Sequence, residues 1–447
     1  MASVAEQLAS SINFGAFAKA TELKKRIWFT LGALVVYRLG TYIPVPGIDP
    51  TILQDVFSQN SRGILGMFDM FAGGALRRMS MFALNVMPYI SASIIMQLLT
   101  AISPTLEALK KEGEQGRKKI NQYTRYGTVI LAAFQAYGLA IGLEGMTGSH
   151  GPAVADPGLF FRITTVFSLT AGTLFLMWLG EQVTARGVGN GVSLIIFSGI
   201  VANLPTALAN TLELARTGSL STFVLIVLLV MAVAVIGAIV FMERAQRRII
   251  VQYPKRQMGS RVFGGESSHL PLKLNASGVI PPIFASSLLL LPVTIAGFAG
   301  GRGPEWLSQI TAYISHGRPL YMLAYVGLIV FFCFFYSSIV FNPNDTAENL
   351  KKYGGFIPGI RPGKNTAEYL SYILTRLTLV GAAYLSVICI LPEILISQYA
   401  VPFYFGGTSL LIAVSVTMDT VAQVQAHLLA HQYEGLIKKS RLRGRRG

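Results

Sequence analysis

The sequence predicts an all-α polytopic membrane protein, and three observations carry that expectation. Apolar residues make up 52% of the 447-residue chain and charged residues only 13%, where an average globular chain carries about 25% charged residues. The mean hydropathy is +0.53. Uncharged apolar runs that suit a bilayer core about 30 Å thick, which needs roughly 20 residues per helix, recur about ten times. Lipid is then the solvent, and spans replace the soluble domains that length alone would suggest.

The runs fall near 27–43, 79–101, 126–143, 160–180, 190–205, 219–242, 276–299, 319–341, 372–392 and 403–425. Ahead of them, residues 1–26 lack the apolar core and cleavage site of a secretory signal. Val4, Leu8, Ile12 and Phe14, followed by Lys19, Lys24, Lys25 and Arg26, suggest a helix lying on the cytoplasmic membrane surface. The second run contains Pro88, whose missing N–H predicts a kink. The fifth is short and bounded by Gly191 and Pro205. A basic tail, 426–447, closes the chain.

A net charge of +16 suits either nucleic acid or a membrane protein that collects cations on its cytoplasmic side, and placement decides between them. Alternate connections hold 29 of the 37 Lys and Arg, in 19–26, 110–125, Arg186, 244–273, 351–376 and 438–446. That asymmetry places both termini in the cytoplasm. Arg38, Arg62, Arg77, Arg78, Arg162, Arg216, Arg302 and Arg318 are scattered over the other side. Divided into 27–205 and 206–425, the chain has five spans per half, so the second half enters the membrane inverted. That parity permits an inverted repeat, although no clear internal sequence repeat accompanies it.

Between the first two spans, RGILGMFDMFAGGALRR at 62–78 is apolar yet too short to cross a bilayer. It reads as a re-entrant half-helix weakened at Gly73 and Gly74, or as an ordinary interfacial loop helix. A re-entrant element implies a cavity, because irregular backbone at depth must be surrounded by protein or water. Two connections on the basic side are longer than topology needs. The first, 243–275, has the β-prone Ile249, Ile250, Val251 and Tyr253 before a turn-like PKRQMG and predicts a projecting hairpin. The second, 341–365, is rich in Gly, Pro and Asn and predicts an ordered, irregular loop.

Chemistry-bearing constellations are sparse. The span centres hold almost no ionisable residues: Glu181, Arg376 and Glu393 sit at span ends, and Asp419 lies toward the basic end of the tenth. His427 and His431 are four apart, but no Cys or carboxylate clearly completes a metal site. RGVGNG at 186–191 has neither phosphate-loop spacing and reads as a tight turn. Cys333 and Cys389 lie inside apolar runs and read as buried thiols.

Several long stretches, in order from about Lys24 to the tail, resemble the SecY family. They are GGALRRMSMFALNVMPYISASIIMQLL at 73–99, WLGEQVTARGVGNGVSLIIFSGIV at 178–201, ERAQRRIIVQYPKRQ at 243–257, FFCFFYSSIVFNPNDTAENLKK at 331–352, PGIRPG at 358–363 and PFYFGGTSLLI at 402–412. The resemblance implies two inverted five-helix halves around a pore that passes unfolded polypeptides and opens sideways into lipid. It implies a pore ring of Val86, Ile90, Val192, Ile196, Ile283 and Ile412, two of them valine where the family usually has isoleucine. It makes 62–75 the plug, with Ile64, Leu65, Met67, Phe68, Phe71, Gly73 and Gly74. Ser91, Gln97 and Asn275 fall at the sideways gate, where for Gln97 or Asn275 alone an ordinary interhelical hydrogen bond is an equal reading. Arg248, Lys255, Arg256 and Arg361 would dock the ribosome or the SecA motor. The implied partners are SecE and SecG, SecA, the ribosome, the accessory SecD, SecF and YidC, signal-bearing polypeptides and the lipid of the bacterial inner membrane. No cofactor or metal is implied.

Two other classes fit parts of the pattern. Span number and parity suit a secondary transporter, but the nearly charge-free span centres argue against ion coupling. A membrane-embedded enzyme would need a His, Asp or Ser constellation at depth, and none is evident.

Overall fold

The computed structural model describes residues 20–49, 52–53, 69, 72–145, 147–148, 151–218, 221–253, 256–258, 261–263, 267–298, 318–399 and 407–443. They are mostly helical. The order is α1 (Thr21–Gly40), α2 (Met87–Ile102), α3 (Pro104–Lys111), α4 (Glu114–Glu144), β1 (Thr147–Gly148), β2 (Gly151–Pro152), α5 (Leu159–Arg186), α6 (Gly191–Arg216) and α7 (Thr222–Arg244). Then come β3 (Gln246–Gln252), β4 (Arg256–Met258), β5 (Arg261–Phe263), β6 (Ser267–Lys273), α8 (Ile280–Phe298), α9 (Pro319–Val340), α10 (Pro343–Lys352), α11 (Lys364–Tyr399) and α12 (Gly407–Arg443).

Lipid accounts for the helices better than propensity does. In α7, Ser221 accepts the Val224 N–H, and an uncharged run follows as far as Glu243. Phe223, Val230, Val233 and Phe241 stay exposed, and a helix apolar all round with bare faces needs an apolar solvent. Seven described helices are long and apolar enough to cross a bilayer. An eighth is added if α2 and α3, bent by 99° at their junction, form one broken span. The bend falls at Ser103, because Pro104 opens α3 and disfavours helical backbone in the residue before it. The described residues thus give a many-span helical protein with seven or eight spans among them, which leaves the count of ten unconfirmed. α8 contributes a short apolar helix, Ile280–Leu289, among the described residues.

The chain forms two compact units, one of 1–205, 294–303 and 416–447, the other of 206–293 and 304–415. In the first, α2, α4 and α5 pack together. Two ion pairs fasten antiparallel α4 and α5 at opposite ends. Arg125 grips Glu181 through two bonds of 3.0 and 2.7 Å, and Arg162 reaches Glu144 at 2.6 Å while the Gly158 N–H adds a bond of 3.1 Å. The RGVGNG turn is held from three sides: Thr30 Oγ1 accepts the Val188 N–H, Gln423 Oε1 accepts that of Gly189, and Thr184 Oγ1 accepts that of Gly191. In the second unit α9 packs on α11, with the Ser337 and Thr378 hydroxyls 2.9 Å apart in the interface.

Four expectations need correction. The second span does not start near 79: residues 72–86 are turns and regular helix begins at Met87. Pro88 therefore does not kink a span but occupies the first turn of α2, where its missing N–H has no helical partner to lose. Pro205 does not end the fifth span, since α6 runs through it to Arg216. Residues 21–26, read as part of a surface helix, are the opening turns of α1. Residues 1–19 lie outside the described residues. The expected hairpin is present, one of the small two-stranded sheets in an otherwise helical fold.

Close helix approach generates a test. A methyl group on Gly191 would overlap the Gly180 carbonyl, whereas one on Gly237 of α7 meets nothing within 4 Å. Overpacking of this kind costs about 1–3 kcal/mol. Gly191→Val is expected to lower the thermal midpoint of the detergent-purified protein by several degrees, and Gly237→Val to leave it unchanged; equal midpoints would refute the packing.

Candidate functional site

The residues that open α2 rest on buried backbone that is not helical. Ala72, Ala75, Ser80, Ala83 and Val86 are fully buried, and Asn85 nearly so. At such depth each N–H and C=O needs a partner inside the protein. Turn bonds supply some: Gly74 N–H to Asp69 O, Ser80 N–H to Ala75 O, Ala83 N–H to Ser80 O and Asn85 N–H to Phe82 O, each 2.9 Å. The segment after α1 supplies others, with Val45 N–H to Met79 O and Met81 N–H to Ile43 O, both 2.9 Å. Met79 and Asn85 take left-handed φ of 44° and 51°, which turns the chain between these partners and delays the helix to Met87.

The glycine pair sits at the head of this segment, with φ of 66° at Gly73 and 80° at Gly74. Arg38 Nη1 donates to the Gly73 carbonyl at 2.8 Å, and a Cβ on Gly73 would stand 2.9 Å from Gly199 Cα of α6. Any larger residue would thus meet both strain and a backbone. Buried Asp69 accepts the Arg77 N–H at 2.8 Å and pairs with its guanidinium at 3.4 Å. Ile64, Leu65, Met67, Phe68 and Phe71 lie outside the described residues.

The expected ring residues fall on four helices. Val86 precedes α2 and Ile90 stands one turn on; Val192 and Ile196 are likewise four apart on α6, so each pair shares a face. Ile283 is on α8 and Ile412 on α12. Val86, Ile90, Ile196 and Ile412 are at most 7% exposed, and Val192 and Ile283 are half-buried. The same helices show other aliphatic groups outward: Ile102 is 78% exposed on α2 and Val421 41% on α12.

Of the three seam candidates, Ser91 is buried, and Gln97 bonds to Ser93 Oγ at 3.3 Å while its own oxygen is buried without a hydrogen-bond partner. Asn275 is buried and held inside the second unit: its amide donates to Glu243 Oε1 at 2.7 Å and to Gly278 O at 3.1 Å. Glu243 was not singled out by sequence. Its partner is 32 residues away, so no local spacing exposes the pair.

The two long loops form one body. β3 and β6 pair antiparallel from Gln246↔Lys273 to Gln252↔Ser267, and Gln252 and Phe356 exchange both backbone hydrogen bonds at 2.9 Å. Ile249, Leu272, Ile357, Leu370, Ile373 and Leu377 pack into a common core beneath them. Arg248 and Arg361 are exposed on this body. Arg256 lies in β4, and Lys255 is outside the described residues. Asp419 and His427 are exposed on α12, and no metal-holding group occurs among the described residues. Both cysteines are buried free thiols.

Apolar spans, a buried stretch of irregular backbone and an exposed basic two-loop body mark a polytopic membrane protein. A sequence profile of the SecY family matches residues 80–421. The protein translocase subunit SecY of Escherichia coli K12 is 57% identical over 95% of this chain and 96% of its own, and that of Rickettsia conorii is 56% identical over 94% and 97%. In fold, a solved protein-conducting channel superposes with a TM-score of 0.66 at 17% identity over 91% of this chain and 92% of its own. Sec61 from a canine ribosome–channel complex gives 0.62 at 16% over the same shares. The chain belongs to the SecY family.

The bridge between the loops is testable by amide exchange. Gln252→Pro deletes one of its two hydrogen bonds, a loss of about 1 kcal/mol. Exchange at the Phe356 amide is expected to speed up about fivefold or more, with helix α9 unaffected. Unchanged protection at Phe356 would show that the two loops are not joined.

Proposed function

We propose that this SecY-family chain carries unfolded polypeptides across the bacterial inner membrane through a constriction lined by Val86, Ile90, Val192, Ile196, Ile283 and Ile412, and releases apolar segments sideways. It is a channel subunit and not an enzyme. One observation supports the ring assignment above others: four of these aliphatic groups are at most 7% exposed on helices that turn other aliphatic groups outward. Such burial suits side chains that face protein and not lipid.

A narrow apolar constriction sheds water and so blocks ions without a charged gate. The β-branched Val and Ile hold their χ1 rotamers and keep the collar in shape. An extended chain can displace them while its backbone stays hydrated above and below. Release into lipid follows from partition: at mid-membrane Leu, Ile, Phe and Val each gain about 0.3–0.6 kcal/mol, so ten of them gain about 3–6 kcal/mol. Ser91, Gln97 and Asn275 are assigned to the seam through which such a segment leaves, and residues 62–75 to the plug.

Orientation rests on the charge asymmetry, with 29 of 37 cationic residues assigned to the cytoplasmic side together with both termini. The platform of Arg248, Lys255, Arg256 and Arg361 then faces the ribosome or SecA, with SecE and SecG as membrane partners and SecD, SecF and YidC as accessories. Two fold neighbours are a canine Sec61 and a yeast Ssh1 complex on ribosomes, which supports a ribosome as partner.

Two experiments test these assignments. With SecA and the small subunits in vesicles, Arg361→Glu should slow precursor translocation at least tenfold while membrane insertion of the chain is unchanged; wild-type rates would remove Arg361 from the docking surface. Ile90→Asn or Ile196→Asn should raise resting ion conductance in planar bilayers severalfold, and unchanged conductance would remove that residue from the ring.

A further inference from the structure

The base of the β3–β6 hairpin and the approach to α8 are fastened by one carboxylate. Glu243 lies in the last turn of α7, and its Oε1 accepts from Asn275 Nδ2 at 2.7 Å. The same amide also donates to the Gly278 carbonyl at 3.1 Å, and Ser277 Oγ donates to Asn275 Oδ1 at 3.0 Å. Asn275 is 3% exposed, so a missing partner would leave a buried polar group unsatisfied. The hairpin ladder ends at this point, since Leu274 N–H bonds to Ala245 O at 3.0 Å just beyond the Gln246↔Lys273 pair.

The surroundings leave the clasp little slack on one side and a swivel on the other. A Cβ on Gly381 of α11 would stand 3.1 Å from the Leu274 carbonyl and 3.6 Å from Asn275 Cα. Gly278 has φ of 64°, a conformation glycine takes without steric cost, and α8 follows two residues later. Glu243 is two residues before the hydrogen-bonded Ala245, and Asn275 directly follows Leu274. The bond therefore fixes the Asn275 side chain to the end of α7 at the hairpin base, and the same amide reaches on to the Gly278 carbonyl. An intact bond passes movement of the hairpin base to Gly278 and α8. With the bond gone, the swivel at Gly278 absorbs it.

We propose that Glu243 is a positioning residue: by holding Asn275 it couples the basic hairpin to α8, the helix that carries Ile283. The inference rests on the reading above in which the hairpin docks the motor and α8 lines the channel. At 2.7 Å the bond lies at the short end of the N–H···O range. It acts as a strut between the hairpin and α8.

The test uses the full-length chain with its membrane partner subunits in vesicles, and reads both SecA binding affinity and the rate of precursor translocation. Asn275→Asp sets two carboxylates against each other and is expected to slow translocation about tenfold while SecA affinity stays within twofold. The exchanged pair, Glu243→Gln with Asn275→Asp, restores one donor and one acceptor between the two side chains but not the donor to Gly278 O, and is expected to recover part of the rate, at least threefold over Asn275→Asp alone. Glu243→Gln alone keeps an acceptor oxygen and should stay within about threefold of wild type. A fully active Asn275→Asp variant, or an exchanged pair no faster than Asn275→Asp, would overturn the proposal. A parallel fall in SecA affinity would also overturn it, since the bond would then only hold the docking surface together. If the wild-type chain itself did not translocate, or Arg361→Glu were silent, the fault would lie in the channel and docking reading and not in the clasp.

Discussion

Lipid cannot hydrogen-bond to a peptide group, and that constraint shapes this protein more than any single contact. Most of the chain meets it with helices. Residues 72–86 meet it otherwise, by bonding within their own turns and to Ile43 and Val45. This buried irregular stretch fixes where α2 begins, and the start of α2 fixes Val86 and Ile90. Helix geometry sets their spacing, but the hydrogen-bonded backbone ahead of Met87 sets where the helix that carries them starts.

The same constraint explains what the sequence discloses and what it hides. Span existence is legible because each crossing needs a long uncharged run, and α4, α5, α7, α9 and α11 coincide with runs read from composition. Boundaries are less legible. Residues 79–86 are as apolar as a span, yet Met79 and Asn85 adopt left-handed backbone, and Met79 O and Met81 N–H find their partners at Val45 and Ile43, far back in the chain. Pro88 and Pro205 mislead in opposite directions. One starts a helix that it was expected to bend, and the other sits inside a helix that it was expected to end.

The site was legible to different degrees. The β-prone run before PKRQMG announces the hairpin, and the structure pairs its strands in full. That the hairpin then bonds to Phe356 could not be read, because an isolated bridge between distant loops leaves no periodic trace. The ring positions came from resemblance alone; a buried valine or isoleucine in an apolar helix looks like every other one. Glu243 stands at the end of α7 like an ordinary interfacial charge, and only the fold shows that it holds Asn275.

The account turns on six aliphatic side chains meeting a moving polypeptide instead of lipid. Photo-crosslinking residues placed singly at Ile90, Ile196, Ile283 and Ile412, and at the outward-facing Val230, test this with a precursor arrested midway. Adducts to the precursor from all four ring positions, and none from Val230, are predicted. Adducts to lipid at the ring positions, with none to the precursor, would contradict the channel geometry.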